Sequence, residues 1–241
     1  MKSFFLATFF AFCNINIYSQ STIQTGDTLY VWAGENLLLR SEPSADSEVL
    51  QRMKLGDILI AKENYNFNSA ADFKVSTLVE GVYLEGGYIK VTIDDEIGYV
   101  FSGYVSDKEA YAAIDNVDHL HYDDLASYIS RTCEMTDSSS QKNEFGTIVN
   151  TKFGENVEIS RIWNRASSTT YILKDWTVNE VLLLVLNSYR LDQNDVSLPK
   201  LISYKRTDGF TIIEIDLGEI ENTFTIFRSG PVILVTHYLS C

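Results

Sequence analysis

Most patterned stretches of this chain alternate apolar and polar positions with a period of two, the mark of half-buried β-strands, and few carry a helical period. Residues 28–32, T-L-Y-V-W, read as a strand that the turn formers of residues 33–36 end. Extended structure resumes at Leu37 to Arg40, with Leu37 and Leu39 on one face and Leu38 and Arg40 on the other, so Leu37 and Leu39 are expected inside. Pro43 has no N–H for a ladder and biases Glu42 toward extended geometry, which predicts an irregular loop over residues 41–47. Val49, Leu50 and Met53 are expected to return to the core before a tight turn at Leu55, Gly56 and Asp57 and a strand over residues 58–62. Alternation from Phe73 to Val79 predicts an extra strand or hairpin arm.

The second half mixes both periods. Residues 107–124 read as a polar connector, with a short helix expected over residues 108–114. A second helix is expected at about residues 125–132, where Leu125, Tyr128 and Ile129 share a helical spacing and Asp123 or Asp124 stands at the cap. Residues 137–143, with three consecutive serines, read as a polar loop, followed by strands over residues 146–153, 157–163 and 169–174. Thr177 and Glu180 form a capping box ahead of a helix at about residues 178–189, and its run from Val181 to Leu186 is apolar on most sides, as in a helix buried against a sheet. Four strands follow, over residues 201–205, 210–217, 223–228 and 232–238. The expected fold is mainly β, with a second α+β domain over residues 125–241 built as an antiparallel sheet with one packed helix.

Charge and cysteines narrow the setting. Residues 1–20, with Lys2, the apolar run from Phe4 to Phe12 and a polar end, have the layout of a secretory signal peptide, too short to span a bilayer and expected to be cleaved near Ser19 or Gln20. Lipidation at Cys13 is the competing reading, weakened by Phe12 where a small residue is favoured. No later stretch is apolar enough to cross a membrane, so an exported chain, periplasmic or at the cell surface, is expected. The net charge of −14 disfavours nucleic acid and anionic lipid as partners. In an oxidising compartment Cys133 and Cys241 make an even pair, and a bridge across roughly 100 residues stabilises by about 4 to 5 kcal/mol; two independently buried thiols are the alternative.

The segment Leu37, Leu39, Arg40, Ser41, Pro43, Ser44, then Val49, the turn Lys54, Gly56, Asp57, then Tyr88-Ile89-Lys90-Val91 and Gly98-Tyr99-Val100-Phe101, resembles the bacterial SH3 family, SH3b, over residues of about 26–106. Tyr88 and Tyr99 stand where that family usually has tryptophan, Leu38 where it often has asparagine, and residues 63–87 form an insertion where many members have a short loop. The resemblance implies a small SH3-like β-barrel, here residues 21–106 of the chain, that binds cell-wall peptide or another extended ligand or packs beside a partner domain. Aromatic side chains at loop mouths suit peptides and sugars alike, which makes Tyr65, Phe67, Tyr83, Tyr88, Tyr99 and Tyr104 the candidate ligand contacts, with burial in the core the alternative for each.

Signals for chemistry are weak. The segment from Asp118 to Asp124 holds His119 and His121 beside carboxylates but no further ligand set, so a helix cap is the better reading than a metal site. Ser138 to Ser140 lack a nucleophile elbow, and His237 falls within a strand. No cofactor and no enzymatic activity are expected. The sequence reads as a noncatalytic binding or adaptor protein of the cell envelope, with cell-wall peptide, glycan or an envelope protein as partner. A structural or regulatory subunit of an envelope complex is the alternative, and a cryptic hydrolase in the second half is a weaker one.

Overall fold

The period-two pattern becomes strand almost throughout a computed structural model of the chain, which describes residues 22–34, 36–66, 73–76, 81–110, 113–116, 119–122, 125–144, 146–163, 166–189, 200–207, 210–216 and 222–240. The first part holds β1 (Thr22–Ile23), β2 (Thr28–Val31), β3 (Leu37–Arg40), β4 (Val49–Met53), β5 (Ile58–Ala61), β6 (Tyr65–Asn66), β7 (Phe73–Ser76), β8 (Tyr83–Gly86), β9 (Tyr88–Ile93), β10 (Glu96–Phe101), a 3-10 turn (Ser102–Tyr104) and β11 (Val105–Ser106). Next come β12 (Ala113–Asn116), β13 (His119–Tyr122), α1 (Leu125–Thr132), β14 (Met135–Asn143), β15 (Gly146–Phe153), β16 (Val157–Trp163) and β17 (Ala166–Lys174). The chain continues through α2 (Val178–Tyr189), β18 (Lys200–Thr207), β19 (Phe210–Asp216), β20 (Asn222–Ser229) and β21 (Val232–Ser240). Among the described residues no helix is long and apolar enough to cross a membrane.

Seven of the early strands form one antiparallel sheet in the order β11, β2, β5, β9, β10, β3, β4. Its inner face buries Leu29, Leu37, Leu39, Met53, Leu59, Ile89, Val91 and Val100, so the alternation read for Leu37 and Leu39 holds. The expected barrel does not close: β4 and β11 are its two edges and do not pair. Val49 also departs from expectation, being 38 % exposed, because the register slips between Leu39 and Arg40 and turns it to the outer face. Gly56 takes φ +87 in the turn from Lys54 to Asp57, a backbone position that favours glycine. The inserted stretch supplies the hairpin β7–β8 rather than a longer barrel strand.

Later strands form an eight-stranded antiparallel sheet in the order β14, β15, β16, β17, β21, β20, β19, β18. The topology is a helix followed by a four-strand meander, twice over, with the last strands β17 and β21 paired at the centre and the first strands β14 and β18 left at the edges. One face buries Val157, Ile159, Tyr171, Leu173, Ile233, Val235, Ile226 and Ile213, and α2 lies in the same core with Val181, Leu182, Leu184, Val185 and Leu186 all but fully buried. At about 1.5 to 3 kcal/mol for each large aliphatic side chain removed from water, this layer outweighs any local propensity. Two helices pack there, not one, since Leu125, Tyr128 and Ile129 bring α1 into that cluster.

Three further expectations change. The helix expected over residues 108–114 is not formed: Ala113–Asn116 is a strand that pairs with His119–Tyr122. The serine stretch read as a loop is the edge strand β14, because its backbone groups find partners along β15 even though no side chain of it is buried. Cys133 is a free thiol, so the expected bridge is not formed. Cys241, like Phe67, Asp123 and Asp124, lies outside the described residues, but its chain neighbour Ser240 pairs with Ala166 at one end of β21, whereas Cys133 follows α1 beside the other end, where Gly154 bonds to Glu134. The eight-residue rise from Val232 to Ser240 separates the two ends by about 26 Å, and Cα atoms beyond about 7 Å do not bridge.

A methyl group at Gly98 meets Arg40 O at 2.7 Å and the Leu39 side chain at 2.8 Å. Gly98→Ala is therefore expected to destabilise the chain by about 1 to 3 kcal/mol in urea unfolding through displacement of β3 from β10.

Candidate functional site

Five of the six aromatic candidates lie among the described residues, Phe67 being outside them, and they separate into two groups. Tyr65 turns inward: its hydroxyl lies 2.8 Å from Ser102 Oγ and accepts the Gly87 N–H at 2.7 Å. Burial raises its pKa against the opposing pull of those two bonds. Tyr88 and Tyr104 pack edge-on to the two sides of Phe101, with ring centroids at 6.4 and 5.9 Å. Tyr83 is exposed on β8 near Tyr204, whose pKa is raised by burial and then by that neighbour. Tyr99 lies half-buried on the outer face of the seven-stranded sheet. Tyr65, Tyr88 and Tyr104 thus belong to packing, while Tyr83 and Tyr99 offer surface.

The packed tyrosines lead to the seam between the two sheets. Trp32, Val82, Leu84 and Phe101 from the early strands join α1, α2 and the large sheet in one buried cluster. Trp32 is fully buried and stands edge-on to Tyr128 at 5.5 Å and Trp176 at 6.4 Å, with Tyr128 to Trp176 at 5.7 Å. Its Nε1 donates to Lys108 O at 3.0 Å, and the Tyr128 hydroxyl donates to Glu109 O at 2.7 Å. The insertion takes part as well: Asn179 on α2 receives the Glu85 N–H and donates to the Glu85 carbonyl, at 3.2 and 2.6 Å. The side-chain amide therefore reads the open edge of β8 as a neighbouring strand would.

Glu180 closes this seam. It is 4 % exposed, accepts the Thr177 N–H at 2.6 Å, and has its own N–H bonded to Thr177 Oγ1 at 3.1 Å, so the capping box forms as read. The other carboxylate oxygen takes the Ser106 hydroxyl and the Lys108 ammonium, the latter at 3.3 Å. Burial by itself lowers the Lys108 pKa, but the Glu180 and Asp107 carboxylates beside it outweigh that and hold it above the ordinary value. Tyr128 is raised by burial and then by the Glu180 charge. The adjoining cleft, walled by Ile23, Asp27, Lys108 and Thr177, holds about 30 Å³, room for a water or two and not for a substrate. Through Thr177, Ser106 and Lys108, Glu180 joins the start of α2 to the end of the first sheet.

The open outer face of the seven-stranded sheet differs. Register places Val49, Arg40, Tyr99 and Lys90 in one row across β4, β3, β10 and β9, and Lys62 extends it through its N–H to Lys90 O at 2.9 Å. Lys90 Nζ lies 5.8 Å above the Tyr99 ring. Arg40 spends one nitrogen on Ser47 O at 2.8 Å. Glu63 Oε1 accepts the Lys90 N–H at 2.9 Å, so one carboxylate borders the row, while among the described residues Arg40, Lys62 and Lys90 form no side-chain ion pair. From Arg40 to Lys62 the row spans three strand spacings, about 14 Å. The sequence names Tyr99 but misses the cations around it; outward parity of Arg40, Lys90 and Tyr99 was a readable signal, and their alignment needed the register.

The histidine motifs do not assemble chemistry. His237 Nε2 lies 2.8 Å from Asn222 Oδ1 and the ring stacks on Phe224 at 4.1 Å, the satisfied histidine expected of that strand. His119 and His121 lie on β13, and among the described residues no group of three metal-ligating side chains converges.

Glu180→Ala is expected to lower stability by about 3 kcal/mol, since it leaves the Thr177 N–H and the Ser106 hydroxyl without their acceptor and takes one of two carboxylates from a partly buried lysine; Asp107→Asn, at a 65 % exposed side chain, is expected to change it by less than about 1 kcal/mol. Both are read from urea midpoints. Lys108, Tyr65, Tyr128 and Tyr204 all hold their protons more tightly folded than unfolded, so their contribution is complete below about pH 10 and is lost as pH rises beyond it. A melting temperature flat from pH 7 to 9 and falling above about pH 10 is expected, with a shallower fall in Tyr128→Phe.

No family model, no curated protein and no solved structure matches this chain.

Proposed function

We propose that the chain is an exported, noncatalytic binding or adaptor protein of the cell envelope that takes an extended, carboxylate-bearing cell-wall peptide or glycan on the outer face of its seven-stranded sheet. The observation that carries this reading is the row of three basic residues, Arg40, Lys90 and Lys62, aligned with Tyr99 on one face of the sheet, with Lys90 over the Tyr99 ring, in a chain with 33 acidic and 19 basic residues. A surface of opposite sign to the rest of the molecule attracts an anionic ligand locally and repels it elsewhere, which orients the encounter. Tyr99 adds a flat apolar contact at little entropic cost, and the row length of about 14 Å matches four or five residues of an extended chain. The resemblance of residues 26–106 to the SH3b family and the leader-like residues 1–20 support the same setting. The seam cluster supports the noncatalytic part, because the most buried carboxylate of the pair of sheets is fully occupied by Thr177, Ser106 and Lys108.

The test is sedimentation of the purified chain with insoluble cell wall. Retention that falls at least tenfold in Tyr99→Ala combined with Lys90→Gln, and that weakens when wall carboxylates are amidated or salt is raised to 0.5 M, about five times a typical 0.1 M buffer, is the expected result. Absence of retention together with stable co-purification of a single envelope protein overturns wall binding in favour of a structural subunit.

A further inference from the structure

We infer that β14 is a docking edge for a second copy of this chain, joining two eight-stranded sheets through antiparallel β14 to β14 pairing about a two-fold axis at Ser139. β14 is the terminal strand of its sheet, and all nine of its residues are exposed. Its inner side is satisfied by β15 from Asp137 to Asn143 without interruption. Its outer side therefore presents the alternate N–H and C=O groups of a regular strand to water.

Edges of this kind are normally guarded by charge, proline or irregularity. The topologically equivalent edge at the other end, β18, carries Lys200, Lys205 and Arg206 and has a register shift between Leu201 and Ser203. β14 has its only shift at its very start, between Met135 and Asp137, and then runs through Ser138, Ser139, Ser140 and Gln141 with no charge and no proline. Side chains this short do not screen the backbone beside them. In the seven-stranded sheet the edge β11 is two residues long and β4 carries a bulge, so neither offers a comparable run.

Polarity selects the occupant. A strand added to β14 lies beside serine and glutamine on both faces, over no apolar pocket, so a strand that alternates apolar and polar residues leaves its apolar row in water. A partner polar on both faces fits, and β14 is itself such a strand. Antiparallel pairing centred on Ser139 sets Ser139 opposite itself, Ser138 opposite Ser140, Asp137 opposite Gln141 and Thr136 opposite Lys142, so no like charges meet and hydroxyl pairs face one another. The strand carries one acid and one base, so the acidity of the chain is not concentrated there. A two-fold axis makes the contact isologous and closed, which stops it at a dimer. The excess negative charge of the two chains opposes their approach, so association is expected to strengthen with salt up to about 0.15 M, where screening is within about 8 Å.

Sedimentation equilibrium of the purified chain tests this from low micromolar to about millimolar concentration. A reversible monomer–dimer equilibrium is expected. Ser139→Lys and Ser139→Asp each set like charges face to face at the axis and are expected to weaken the dimer at least tenfold, with unchanged circular dichroism because the side chain is exposed. Mixing the two variants is expected to restore a heterodimer, a result that a merely misfolded variant does not give. A wild-type chain that stays monomeric throughout, or a dimer equally stable in both single variants, overturns the inference.

Discussion

A buried carboxylate ties this structure together. Glu180 sits at the third position of α2, where it completes the turn that starts the helix, and the same side chain reaches across to Ser106 and Lys108 at the end of the first sheet. Withdrawal of a carboxylate from water is unfavourable unless it is hydrogen-bonded, and here one backbone donor, Thr177 N–H, and two seam donors, the Ser106 hydroxyl and the Lys108 ammonium, bond it. The positive end of α2 favours the same charge. Helix start and sheet junction thereby share one side chain: the carboxylate that caps α2 through Thr177 also holds Ser106 and Lys108. Trp32, Tyr128 and Trp176 fill the apolar side of the junction, and Asn179 fastens the inserted hairpin to the same helix.

This arrangement pairs the polar side chains of the junction, Glu180, Thr177, Ser106 and Lys108, with one another. Val82, Leu84 and Glu85 of the insertion are drawn to the seam. On the second sheet the helices occupy one face at the centre of the pseudo-repeat, which leaves the first strand of each half as an edge; only one of the two carries the charges that discourage pairing.

Local physics made much of the fold legible in the sequence. The parity of Leu37 and Leu39, the capping box of Thr177 and Glu180, the helical spacing of Leu125, Tyr128 and Ile129 and the apolar run of α2 each depend on neighbours within a few residues, and each appears where the pattern puts it. The exceptions are instructive. Ser138 to Ser140 lack any period, yet they are strand, because β15 offers a ladder whose hydrogen bonds do not depend on side-chain burial. Val49 has the character of a core residue but faces out, because a one-residue slip against β3 reverses the face. The cysteine pair satisfies counting but not distance, since strand direction sends Ser240 to the end of the sheet away from Cys133.

The sequence by itself determined the elements, the mainly β class and the sign of the surface, because those follow from alternation, capping and composition. The tertiary structure alone decided which tyrosines are surface and which are packing, since the partners that separate them, Ser102 for Tyr65 and Lys90 for Tyr99, are remote along the chain. It also decided that Lys108 meets Glu180 across 72 positions, and that Arg40, Tyr99 and Lys90 share a row. Register and long-range contact are properties of pairs of segments, and a chain read one residue at a time does not contain them.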